Sequence, residues 1–322
     1  MSKKVHHIWM RSLIGGAALA CMADAGPAVA GEAGGGAYPN GAEGYTGAAL
    51  PPPGTYLLGY YEHYDADRFN DNQGKSGLLP AFHARVDAVI ARLVHVTGQR
   101  VLGASWGMQA ILPLVNLRVG AAGMEDETTG ASDVIVDPIM LGWHFRNGLH
   151  VTTGLDVTLP TGSYQSTKLS NIGRNYWSVE PVVAIAYYTR RGFSADAKLM
   201  YDVNFANSRA MVTPFNPTGA DYRSGNEFHI DYAAGQQFGK GKLGVAGYYY
   251  QQTTKDKVDN AAAQAVIDGL RGFKGGVFAA GPSAAYRLGK VQLIGTWQHE
   301  FHAEYRPQGD KFWLKAIIPL TR

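Results

Sequence analysis

Residues 193–205 read Phe-Ser-Ala-Asp-Ala-Lys-Leu-Met-Tyr-Asp-Val-Asn-Phe, and their alternation decides the fold. Phe193, Ala195, Ala197, Leu199, Tyr201, Val203 and Phe205 fall on one face. Ser194, Asp196, Lys198, Met200, Asp202 and Asn204 fall on the other. Side chains of a helix recur every 3.6 residues and cannot make two such stripes, whereas a strand turns successive side chains to opposite faces. At about 3.3 Å per residue and a tilt near 40°, the stretch spans roughly 30 Å of height, close to the hydrocarbon core of a bilayer. The same period of two runs through Leu149–Leu159 and Glu227–Phe238.

Working outward from that stretch, about twelve strands are predicted, at 55–64, 82–97, 101–117, 134–145, 149–160, 175–188, 193–205, 226–238, 242–253, 276–288, 290–305 and 311–320. Long polar connections (65–81, 118–133, 161–174, 206–225, 254–275) alternate with tight ones at Gly98-Gln99, Arg146-Asn147-Gly148, Arg190-Arg191-Gly192, Gly239-Lys240-Gly241 and Gly289-Lys290. That alternation, with both termini on the tight-turn side, predicts an all-β protein: a transmembrane antiparallel up-and-down β-barrel over 55–322. Aromatics at strand ends, Trp143 and Phe145 at one rim and Trp177, Phe228 and Phe312 at the other, fit interfacial girdles. Arg92 interrupts an otherwise apolar face of the second strand, and a bulge is expected there.

The start of the chain has another character. Lys3, Lys4 and Arg11 precede a short apolar run, Leu13 to Ala20, and an Ala28-Val29-Ala30 site, so 1–30 reads as a signal peptide cut between Ala30 and Gly31. The destination expected for such a precursor is a Gram-negative outer membrane, with outer-membrane lipid and lipopolysaccharide as its surroundings. Cys21 is the only cysteine and leaves with the signal. The mature chain then carries 26 basic and 25 acidic residues, a balance that argues against a nucleic-acid partner. Residues 31–54 are rich in glycine and end in Pro51-Pro52-Pro53-Gly54, which forbids a strand. Tyr38, Tyr45 and Leu50 are nonetheless apolar enough to seek burial, so this segment is expected to fold into the periplasmic mouth as a partial plug.

Motifs with catalytic or ligand-binding associations are weak here. Gly239-Lys240-Gly241-Lys242-Leu243-Gly244 matches a dinucleotide fingerprint but joins two strands, so it reads as a turn. Asp65, Asp67, Asn70, Asp71 and Asn72 crowd the first long loop in a manner usual for solvated turns. The histidines show no ligand spacing, and no metal or cofactor is assigned. No histidine and serine sit two residues apart, as a hydrolytic pair on one strand face would.

The candidate functional residues are those predicted to line the lumen. Asp156, Glu180, Asp202 and Glu227 fall near the extracellular ends of four consecutive strands, with Asp87 and Glu300 at similar heights. Lys198, His150 and Arg287 fall lower, Arg85 is a basic exception near the top, and Asp196, His229 and Asp231 share the same polar faces. The pattern suggests a field that is acidic outside and basic inside, with Arg85 or Arg223 as the partner that screens the acids.

Several segments carry a family resemblance: Pro39 to Tyr45, Gly47 to Gly54, Asn171 to Trp177, Asp221 to Gly225 and Gly247 to Val258. Together they resemble the outer-membrane transporter-like proteins associated with the meta-pathway of phenol degradation, with sphingosine-induced relatives. The resemblance implies a channel for passive uptake of small hydrophobic or aromatic molecules and brings no catalytic residues. A lipid-acting enzyme and a structural or adhesive barrel are the alternatives.

Overall fold

In the computed structural model, which describes residues 32, 36, 38–213 and 215–321, the period-two stretches close into one antiparallel barrel. The proposed signal and the Ala30–Gly31 junction lie outside the described residues. In chain order the strands are β1 (Gly54–Phe69), β2 (His83–Val101), β3 (Ala104–Ala121), β4 (Met124–Ala131), β5 (Val134–His144), β6 (Leu149–Leu159), β7 (Ser178–Tyr188), β8 (Phe193–Asn204), β9 (Tyr222–Arg223), β10 (Glu227–Phe238), β11 (Gly241–Gln252), β12 (Lys257–Val258), β13 (Gly276–Leu288), β14 (Val291–Glu304) and β15 (Pro307–Thr321). β9 and β12 pair with each other in the long loops, and Tyr222 of β9 also bridges Asn207. β4 and β5 are two parts of one descending strand, since β4 pairs with the far half of β3 and β5 with its near half. The wall is therefore twelve strands, and β1 closes it by pairing with β15 from Thr55↔Thr321 to Phe69↔Pro307.

Alternation explains both surfaces. Val89, Leu93, Leu114, Val183, Leu243 and Trp297 point outward and are exposed, part of an apolar band of the kind that lipid covers. The opposite residues turn into a lumen that is mostly polar. Closure through β1–β15 and β2–β3 pairs the wall strand to strand, and β4, which among the described residues has β3 as its only strand partner, keeps one edge outside the ladder. This is an outer-membrane β-barrel.

Four local expectations are corrected. The turn between β2 and β3 is at Leu102-Gly103, with φ of 51° and 77°, not at Gly98-Gln99. A register shift between Val96 and Arg100 absorbs the added residues. The span 118–133 is not a loop but a hairpin, with β3 running to Ala121 and returning as β4 through Ala122-Gly123. Glu125-Asp126-Glu127-Thr128-Thr129 is polar on both faces, so no hydrophobic period marked it. No bulge occurs at Arg92, whose pairing with Leu58 and Ile111 is in register with its neighbours. The last long loop contains a helix, α1 (Ala261–Gly269), that no helical period announced. Its alanines favour the helix, and the Asn260 side chain accepts from the amides of Ala262 and Ala263 at its start.

Candidate functional site

The lumen is occupied on one side by the segment before β1. A non-strand segment inside a barrel has backbone groups that need partners, and the acids of the wall supply them. Asp231 accepts from the amides of Gly41 and Glu43 at 2.8 and 3.0 Å, and Asp196 accepts from the Thr46 amide at 3.0 Å. Thr152 donates to the Ala48 carbonyl at 2.7 Å, and Lys311 to that of Asn40 at 3.1 Å. Gly41 has φ 84° and lies so close to Gln298 and Tyr248 that any side chain would collide with them. Further out, Glu32 accepts from Asn207 and from the Met211 amide, both at 2.6 Å, and from Tyr164. Burial pushes its carboxyl above the ordinary value, against those hydrogen bonds.

At the centre of the segment stands Glu43. Its carboxylate faces Lys315 at 2.8 Å, Lys198 at 3.9 Å and Arg92 in closer contact still. Burial alone would raise its pKa, but the charges of Lys315, Arg92 and Lys198 prevail and hold it well below the usual carboxylate range. Arg92 also donates through Nε to Gln109 at 2.7 Å. The arginine that broke an apolar stripe is therefore a lumen residue, and the stripe it broke faces the lumen rather than lipid.

That stripe lines the other side of the interior. Val86 and Ile90 of β2, with Ile111, Val115, Leu117 and Val119 of β3, wall a cavity of about 290 Å³. Glu43 and Arg92 lie at its deep end, and Leu79, Phe82, Leu169 and Ile172 from the long loops at its mouth. The backbone groups of the N-terminal segment take their partners from β6, β8, β10, β14 and β15, while its side chains Ala42 and Glu43 meet the apolar wall and Arg92.

Of the residues proposed from sequence, Asp156, Glu180, Asp196, Lys198, Asp202, Glu227, His229, Asp231 and Glu300 are buried on inward faces. Asp156 lies 3.6 Å from Lys198, and Glu300 accepts from Tyr64 at 2.9 Å and from Tyr248. His150 is at the tight-turn rim, 2.7 Å from His144, and Arg287 is at the exposed end of β13. Arg85 and Asp87 are corrected. They point outward, Arg85 to Asp65 at 2.7 Å and Asp87 to His63 at 2.8 Å. The inward face of β2 is the apolar one, so its charged alternates are displaced to the outside. The acids are not screened by Arg85 or Arg223 either: His229 lies 3.1 Å from Glu180 and 3.2 Å from Asp202.

The sequence profile of the family described as "Putative MetA-pathway of phenol degradation" matches residues 66–316, most of the barrel. The chain belongs to this family. No curated protein matches it. Among solved structures, an outer membrane channel from Pseudomonas putida F1 superposes with a TM-score of 0.71 at 18% identity, over 86% of this chain and 98% of that one. The transport unit of the autotransporter AIDA-I from Escherichia coli gives 0.48 at 9% identity, over 82% and 89%. The first of these shows the fold of this family member.

The phenol-degradation family match begins at residue 66 and leaves the N-terminal segment outside it. Sequence reading expected that segment in the periplasmic mouth, whereas its Glu32 end reaches Tyr164, Asn207 and Met211 of the long loops, and it missed the segment's chemistry. Glu43, Lys315 and Lys311 are far apart in the chain, and a single charge in a strand or a glycine-rich stretch gives no signal of its partner. The useful signal was Arg92: a cation on an apolar stripe asks for a buried anion.

Proposed function

We propose that the protein is an outer-membrane channel for passive uptake of small hydrophobic or aromatic molecules. The observation that carries this reading is the apolar stripe of β2 and β3, which lines the interior where a channel for hydrophilic solutes would place polar groups. A solute of low polarity gains by leaving water for that wall, at roughly 25 cal/mol per Å² of apolar surface buried. It then meets the Glu43–Arg92 contact, which closes the deep end. The proposed sequence is capture from outside, descent along β2 and β3, and release once the N-terminal segment shifts. The polar half of the lumen serves to hold that segment.

A phenol-degradation context for the family agrees with an aromatic solute. The proposal includes no hydrolytic step. It is tested by comparing entry of phenol and toluene with entry of arabinose into intact Gram-negative cells whose lipopolysaccharide layer keeps all three slow. Expression of the protein is expected to speed the aromatic solutes several-fold and leave arabinose nearly unchanged. Equal acceleration of all three would identify a general pore instead.

A further inference from the structure

Three side chains on neighbouring strands converge on one point away from the apolar cavity: Glu180 of β7, Asp202 of β8 and His229 of β10. His229 Nε2 is 3.1 Å from Glu180 Oε2 and 3.2 Å from Asp202 Oδ2. One ligand atom from each residue lies within 4.8 Å of the other two, and all three are almost wholly buried.

Both distances lie at the long end of the hydrogen-bond range. One Nε2–H can be aimed well at only one carboxylate, and a charge-assisted N–H···O bond is about 2.7–2.9 Å. They suit a shared ion better. With metal–ligand bonds of about 2.1 Å, adjacent donors stand about 3.0 Å apart in an octahedron and about 3.4 Å apart in a tetrahedron. Both observed separations fall between. A second observation points the same way: Glu180 Oε1 is buried and, among the described residues, has no hydrogen-bond partner. A carboxylate oxygen left bare on one of the three converging side chains can complete a coordination sphere.

We propose that Glu180, Asp202 and His229 form a binding site for a divalent first-row transition ion of the zinc or manganese type. Two carboxylates balance the charge of the dication, and the imidazole nitrogen favours such an ion over calcium or magnesium, which take oxygen ligands. The site was invisible to motif reading because its ligands come from three strands, at positions 180, 202 and 229, with no local spacing. The Tyr38 ring sits 5.3 Å from the His229 ring, so the ion lies beneath the N-terminal segment, which shields it from the cavity. Loading therefore accompanies folding, and exchange afterwards is slow.

The test uses the full mature chain without a histidine tag, folded in detergent with Zn²⁺ and then freed of unbound metal. About one zinc per chain is expected, falling at least tenfold in the E180Q/D202N and H229N variants. The competing candidate is the exposed His144–His150 pair. Its H144Q/H150Q variant is expected to keep its zinc. Unheated gel mobility reports whether each variant has folded. If the H229N chain does not fold, Co²⁺ bound to the wild-type chain is read by X-ray absorption, with one imidazole and otherwise oxygen donors expected. Less than about a tenth of a zinc per wild-type chain, zinc lost with His144 and His150, or a two-imidazole cobalt site would each overturn the proposal.

Discussion

Replacing Glu43 by Gln strands a buried cation. In the native protein its carboxylate serves Lys315 at 2.8 Å, Lys198 at 3.9 Å and Arg92 in closer contact. After E43Q, Lys198 retains Asp156 at 3.6 Å and Arg92 retains Gln109. Lys315 keeps only the Tyr60 ring at 5.1 Å and, among the described residues, no other carboxylate within ion-pair distance. Removing one member of a buried ion set costs about 3–5 kcal/mol, which shifts the docked-to-released ratio of the segment by roughly two to three and a half decades. Single-channel recording in planar bilayers is expected to show larger and noisier currents for E43Q than for wild type. E43Q/K315Q, which removes the stranded cation, is expected to recover part of the quiet state. The sign with pH follows from the depressed pKa of docked Glu43. Its stabilisation is complete above the ordinary carboxylate range and is lost progressively as pH falls from that range through the lower docked value. Acidifying from pH 7 to about 5 therefore leaves the Glu43 contribution to docking in place, and opening through its loss begins at more acidic pH. An E43Q current equal to wild type, with residues 38–50 equally resistant to protease, would refute this account of what holds the segment.

Deleting 32–50 is expected to raise ion conductance more than E43Q does, with the barrel still folded by its unheated gel mobility; unchanged conductance would mean that the segment blocks nothing. Replacing Asp156 and Glu227, the two acids of the row near the extracellular strand ends that lie outside the proposed ion site, by Asn and Gln is expected to move reversal potentials toward anion preference at low salt. That shift should shrink at 1 M, where the Debye length is about 3 Å. N-terminal sequencing of the exported protein is expected to begin at Gly31, and a chain beginning at Met1 would remove the signal reading.

The wall was largely legible because period two, strand length and loop alternation are all local. The stretch 193–205 becomes β8 at Phe193–Asn204, and 149–160 becomes β6 at Leu149–Leu159. What failed was the choice of face. Apolar alternates meet lipid on β8, but β2 is apolar on its inward face and carries Arg85 and Asp87 outside. Period alone does not distinguish a lipid-facing stripe from an apolar lumen stripe; only a partner for Arg92 does, and Glu43 lies 49 residues away. The β3–β4 hairpin was missed for the opposite reason, since Glu125 to Thr129 of β4 are polar on both faces and no hydrophobic period exists to read.

The central claim is that hydrophobic solutes travel along the β2–β3 stripe. It is tested most directly by the entry rate of the fluorescent aromatic probe N-phenylnaphthylamine into intact cells bearing equal amounts of wild-type protein or an Ile90→Asn/Val115→Asn variant. Both side chains line the cavity on adjacent strands, and two buried amides there penalise an apolar solute by about 1–3 kcal/mol each. The account predicts at least a tenfold slower entry through the variant, with ion conductance equal to or above that of wild type. Equal probe entry through the two proteins would contradict it.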